Sequence, residues 1–282
     1  MSRPVSSQAP QLIDRSALAT HRARARRAPE LARALFLHEA ARDEAQDRLM
    51  MVNRAFNSPA IVTPFPEIWQ GALPGARIVP DNEVLDLEPA AHDLVIHALA
   101  LHWANDPVGQ LIQCRRALRA DGLCVTIAFG GETLSELRAA LGQAEIEVTG
   151  GLSPRVLPMG EIRDLGALLQ RAGLALPVAD SLPLDVSYES ALHLMRDLRA
   201  MGEANALSAR LRHPTRRAVL LRAAELYAQT YARPDGRLKA TFELVTLTGW
   251  APDESQQKPL RPGTAAHRLA DALGARETPL KD

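Results

Sequence analysis

A chain of 282 residues with equal numbers of basic and acidic side chains, 33 of each, has no overall field that would draw it to nucleic acid or a membrane surface. Its two cysteines, Cys114 and Cys124, fit neither a disulfide framework nor a metal-ligand cluster, which points to a reducing compartment. No apolar run approaches the roughly 20 residues that span a bilayer, and no short apolar signal region follows the basic start.

Residues 1–12, rich in Ser, Pro, Gln and Ala, are expected to be disordered. From Asp14 to Val52 the chain is Ala- and Arg-rich with few breakers, and Leu31, Leu35, His38 and Leu49 fall at amphipathic helical spacings interrupted near Pro29. Arg22, Arg24, Arg26 and Arg27 read as a solvated helix face, with an acidic partner or a transit peptide as alternatives. Ala60 to Thr63 is a strand candidate, Glu67 to Leu73 a short helix, Gly75 to Val79 a strand, and Val84 to Leu87 an edge segment.

The stretch from His92 to Glu132 has the clearest signals. Leu94 to Leu101 is a buried-strand run, Asn105 or Asp106 can cap a helix, and Pro107 suits its first position. That helix is expected to end near Ala120, with Gly122 at a left-handed C-cap. Leu123 to Phe129 is a second buried strand, Gly130-Gly131 breaks it, and Thr133 with Glu136 has the form of a capping box for a helix reaching Glu145. Farther on, Asp164 is placed to cap a short helix ended by Gly173, and Leu174 to Val178 and Leu182 to Tyr188 are strand candidates. Two helices follow between Ser190 and Tyr231, then an alternating strand from Leu238 to Leu244, and from Ala251 onward a loose tail.

The phrases LHWANDPVGQLIQCRRALRADG and FGGETLSELRAAL resemble the fourth and fifth strands of class I S-adenosylmethionine-dependent methyltransferases. Together with GGLSPRVLPMGEIRDLGALLQRAG, LMRDLRAMGEAN and GWAPDESQQKP they are similar to the branch of the mitochondrial complex I assembly factor 5 proteins and their bacterial relatives, over most of residues 92–263. The resemblance implies an α/β, Rossmann-like fold. Residues 13–56 would be a helical extension, 57–250 the methyltransferase-like domain with a helical insertion at 189–231, and 251–282 a tail. The two inserted helices would form a lid before the last, antiparallel strand. The resemblance also implies S-adenosylmethionine, and either methyl transfer or hydroxylation of an arginine on a complex I subunit. The bacterial cytoplasm, or the mitochondrial matrix for a eukaryotic chain, would be the setting.

One part of the family pattern is missing. Where a glycine-rich turn should bring backbone to the cofactor, the chain reads Pro64-Phe65-Pro66-Glu67, and the prolines remove N–H donors. Only 34 residues run from Ala60 to Asp93, whereas two strand-helix units of about 30 each would need nearly double. One unit is therefore truncated, and a non-catalytic relative with an eroded cofactor site, acting as a binding or assembly factor, is the alternative function. Within the family reading Asp81 stands for the ribose-binding acid and Asp86 for the polar residue near adenine, unless both are ordinary loop acids. His97, Ala98 and Trp103 would line the cofactor. His102 and Asp106 are the catalytic candidates, His102 because its pKa lies near neutrality. Glu132 and Arg155 are substrate-binding candidates, Arg155 as a bidentate clamp on a carboxylate.

Overall fold

The computed structural model describes residues 11–257. A first compact unit runs to Pro252 and a second begins at Asp253. The expectations for residues 1–10 and 258–282 lie outside the described residues.

The arginine-rich lead-in folds as α1 (Arg15–Ala25), α2 (Leu31–Ala34) and α3 (Phe36–Val52), with Pro29 in the break between the first two. Asp14 starts α1 by accepting from the Ala17 N–H. Leu37, Ala41 and Ala45 recur at helical spacing on the buried face of α3. The sheet contains β1 (Pro59–Val62), β2 (Arg77–Val79), β3 (His92–Ala98), β4 (Leu118–Phe129), β5 (Ala175–Tyr188) and β6 (Leu238–Trp250) in the order β2-β1-β3-β4-β6-β5. β2, β1, β3 and β4 are parallel, while β6 lies antiparallel between β4 and β5. α4 (Pro107–Ala117), α5 (Ser135–Thr149), α6 (Ile162–Arg171), α7 (Ala191–Ala200) and α8 (Arg217–Tyr231) complete it.

This is the Rossmann-like class I methyltransferase arrangement with a shortened first half: β2 and β1 stand on one side of the switch point and β3 on the other. A single 3₁₀ turn, Pro66–Trp69, replaces a full helix between β1 and β2. Val84 to Leu87 forms no strand.

Several local signals give way to tertiary partners. α4 stops at Ala117 because Leu118 already pairs with His92, and Asp121 rather than Gly122 takes the left-handed conformation, at φ 56. No capping box forms at α5. Thr133 bonds the backbone of Glu243, Glu136 takes the Thr241 N–H and hydroxyl, and Leu134 stands at the N-cap. Glu161, not Asp164, precedes α6. The two strands expected over 174–188 are one, irregular between Ala175 and Val178.

Candidate functional site

In an open α/β sheet, ligands bind beyond the carboxyl ends of the strands at the switch point. Here that edge holds Thr63 after β1, Asp81 after β2 and Leu99 to Trp103 after β3.

The turn after β1 is closed by its own side chains. Thr63 Oγ1 accepts the Phe65 N–H at 3.2 Å, and Pro64 and Pro66 have none to offer. Phe65 is fully buried, edge-on to His38 with ring centroids 4.7 Å apart. Arg26 lies over its ring and donates to the Pro64 carbonyl at 2.7 Å.

Asp81 is buried and spoken for. Arg22 of α1 places Nη1 2.8 Å from both of its carboxylate oxygens, and Arg15 reaches its carboxylate and carbonyl. Arg22 is only 5% exposed, so it is not the solvated residue its sequence neighbours suggested. Its side chain runs against Gly202, where a Cβ would stand 3.1 Å from Arg22 Cγ. Arg22 Nε and Nη2 have no hydrogen-bond partner among the described residues.

Beyond β3, His102 Nε2 lies 3.3 Å from Glu203 Oε2, and Trp103 donates its ring N–H to the same oxygen at 2.7 Å. Burial works to raise the Glu203 pKa, but the hydrogen bond and charge of His102, with Arg22 and His38, hold it below its ordinary value. Glu203 Oε1, His102 Nδ1 and His38 Nε2 are buried without hydrogen-bond partners among the described residues. Burial pushes His38 down to about 4, and that ring feels Glu203, Arg22, His102 and Asp81, so all five groups form one electrostatic cluster. With Nε2 facing Glu203, the Nδ1 edge of His102 is turned away from the carboxylate.

A separate cavity of about 490 Å³ brings Asp81, His97 and Asp106 together with Arg15 and Gln110. His97 is buried and pushed down to about 4 by desolvation; its Nε2 faces Gln110 Oε1 at 3.3 Å. Gln110 spends its amide on the carbonyls of Asn82 and Glu83, so the proton sits on His97 Nε2. Asp106 caps α4 through the Gly109 N–H.

The other expected residues fall elsewhere. Asp86 is on the surface, paired with Arg77. Ala98 is core, and Trp103 packs its ring among Ile13, Leu18, Leu157 and Leu207. Arg155 does clamp a carboxylate bidentately, but it is Glu145 of its own chain. Glu132 is exposed and its N–H bonds Glu243 Oε2. Gly130-Gly131 admits side chains, not a ligand: a Cβ would stand 2.4 Å from Glu243 Oε2 at the first and 2.3 Å from Glu161 Oε1 at the second.

Sequence reasoning passed over Arg22, His38, Phe65 and Glu203. Arg22 had a signal, since it shares the Leu18-to-Ala25 buried stripe of α1. Glu203 lies in the family-like stretch LMRDLRAMGEAN.

These residues do not fit S-adenosylmethionine in the family's manner. Phe65 is buried in the turn where glycines were expected, and Arg22 holds Asp81, the acid expected to meet ribose hydroxyls. Among the described residues no His, Cys, Asp and Glu group could hold a metal ion.

No family model matches the chain. Over 199 residues it is 38% identical to the mitochondrial arginine-hydroxylase NDUFAF5 of Danio rerio, covering 71% of this chain and 62% of that protein. To the Homo sapiens NDUFAF5 it is 38% identical over 195 residues, 68% of this chain and 56% of that one. It is 36% identical over 188 residues to the malonyl-[acyl-carrier protein] O-methyltransferase of Laribacter hongkongensis, covering 67% and 61%. The chain thus spans less than two thirds of each of these relatives. Among solved structures it matches the Burkholderia thailandensis 1,6-didemethyltoxoflavin-N1-methyltransferase with TM-score 0.44 and 14% identity, over 89% of this chain and 99% of that one.

Proposed function

This chain is a methyltransferase-family protein related to the NDUFAF5 arginine hydroxylases, and on that premise we propose that its strand-end centre receives an arginine of a protein substrate during complex I assembly. The observation that carries the reading is the guanidinium already there. Arg22 is held between α1 and the strand ends by buried Asp81, with the ionised, half-satisfied Glu203 in the same cluster. Two buried carboxylates are costly unless a cation meets them, and the planar guanidinium fork matches them best. Arg22 then acts as an internal occupant that an incoming arginine displaces. The partner would be an arginine-bearing complex I subunit, in the bacterial cytoplasm or the mitochondrial matrix. No helix among the described residues is long and apolar enough to cross a membrane.

Chemical rescue tests the site. Arg22→Ala should lose stability, and millimolar methylguanidinium should restore it while methylammonium does not; equal effects of the two cations would defeat the reading.

A second reading rests on the closed turn at Pro64 to Pro66 and the Arg22–Asp81 pair: the chain holds its partner without modifying it. Mass spectrometry of complex I subunits from cells lacking this protein separates the two. Loss of one oxygen from an arginine supports modification, whereas loss of a methyl would require S-adenosylmethionine at the edge that Phe65 and Arg22 seal. Unaltered arginines with failed assembly support holding alone.

A further inference from the structure

On the lid side of the strand ends two cavities meet at Arg155, Arg199, Ala204 and Asn205. The outer one, about 640 Å³, is strongly basic: Arg24 of α1, Arg196 and Arg199 of α7, and Arg155 and Arg210 line it, with only Glu30 and Asp197 as acids. Arg155 and Arg210 have carboxylate partners in Glu145 and Asp14. Arg24, Arg196 and Arg199 make no ion pair among the described residues, and all three are exposed. Burial lowers the pKa of neighbouring His21, and the charges of Arg24 and Arg210 add to that shift. In a chain whose formal charges cancel, this is a local excess of cation without internal relief.

The inner cavity, about 180 Å³, is mostly apolar, with Glu203, Thr133 and the shared Arg155, Arg199 and Asn205 as its polar lining. Trp103, Phe129, Leu137, Met195, Leu198 and Phe242 are among its walls, so it runs beneath α7 to the end of β4. That volume admits roughly six groups of water size at ~30 Å³ each. An apolar slot of that size behind a ring of unpaired guanidinium groups has the chemistry of an amphiphile site: the slot removes a short tail from water, and the arginines meet the head.

We propose that this pair of cavities binds a short-chain amphiphile with an anionic head, an acyl carboxylate or an alkyl phosphate, with Arg24, Arg196 and Arg199 on the head and the tail between Trp103 and Phe242. The inference goes beyond the guanidinium reading: its head-binding arginines lie outside the Arg22–Asp81–Glu203 cluster, and the two share only the Glu203 and Trp103 wall of the tail slot.

Calorimetric titration of the full chain with octanoate, octyl phosphate, octanol and inorganic phosphate tests it. Octanoate or octyl phosphate should bind at least about tenfold more tightly than octanol and than inorganic phosphate, about 1.4 kcal/mol in each comparison. The tighter of the two identifies the head. Bromo-octanoate should also quench Trp103 fluorescence, a signal lost in Trp103→Phe. The charge reversal Arg196→Glu with Arg199→Glu, at exposed positions, should weaken the anionic amphiphile about tenfold or more. Leu137→Trp should block the tail. Octanol binding as tightly as both anions, inorganic phosphate as tightly as octyl phosphate, or affinity untouched by charge reversal in a folded variant would each overturn the proposal.

Discussion

The two halves of the parallel sheet end at one edge and treat it differently. From β3 to α5 the chain keeps the regular strand-helix order, with β3 and β4 buried almost throughout and paired along most of their length. From β1 to β2 the strands are four and three residues long, joined by one 3₁₀ turn, and their ends are sealed by Phe65 and the Arg22–Asp81 pair. A scaffold can thus keep its frame while side chains from a helix outside the sheet take over a ligand edge. The lead-in helix α1 is part of the site in the shortened half, through Arg15 and Arg22 on Asp81.

Substitutions on the two sides should therefore differ in size. The largest effect is expected at the buried ion pair. Arg22→Ala leaves buried Asp81 with only the longer contact from Arg15 and should cost about 3 kcal/mol in urea unfolding, whereas Arg22→Met with Asp81→Leu should recover most of it. A small cost for the single variant would mean that water, not Arg22, seals this edge.

Phe65→Ala should follow at about 3 kcal/mol, since the ring is fully buried against His38 and the gap left is flanked by stiff prolines. A loss below about 1 kcal/mol would show that the turn collapses and the ring was not structural.

The pH response comes next. His38 and His97 sit near 4 in the folded chain against an ordinary 6.5, so between those values the unfolded chain binds more protons. Stability should be full above about 6.5 and fall as pH drops toward about 4, by at most about 3 kcal/mol per ring. Glu203, held below its ordinary value, adds a further loss in the acid range. Thermal melts of His38→Gln should show a shallower fall; an unchanged slope would place the titration elsewhere.

On the regular side the effects are those of single local contacts. Asp106→Ala removes the α4 cap and should cost about 1 kcal/mol. The smallest effect lies in the shortened half but at the start of β2, away from its sealed end: Arg77→Ala, whose acid partners Asp86 and Glu88 are well exposed, should cost under about 0.5 kcal/mol.

The same contrast decided what the sequence could disclose. β3, the Asp106–Pro107 helix start and the β4 run were legible because each signal is contained in a few neighbouring residues. The missing glycines and short spacing showed that the first half was altered. What fills it was not legible, because Arg22 and Asp81 lie 59 positions apart and an arginine on an alanine-rich helix reads locally as solvated. The capping box at Thr133 failed for the same reason: its two side chains bond β6 residues 105 and 110 positions away. Of the site residues, His102, Asp81, His97 and Asp106 do gather at the strand ends, whereas Asp86 and Glu132 stay on the surface.

Isothermal titration of the full chain with S-adenosylmethionine and S-adenosylhomocysteine tests the central claim most directly. A strand edge sealed by Phe65 and by Arg22 on Asp81 predicts no binding of either compound at millimolar concentration. Micromolar binding to the unmodified chain would contradict it, and would mean that α1 withdraws from the strand ends and that the cofactor takes the place of Arg22.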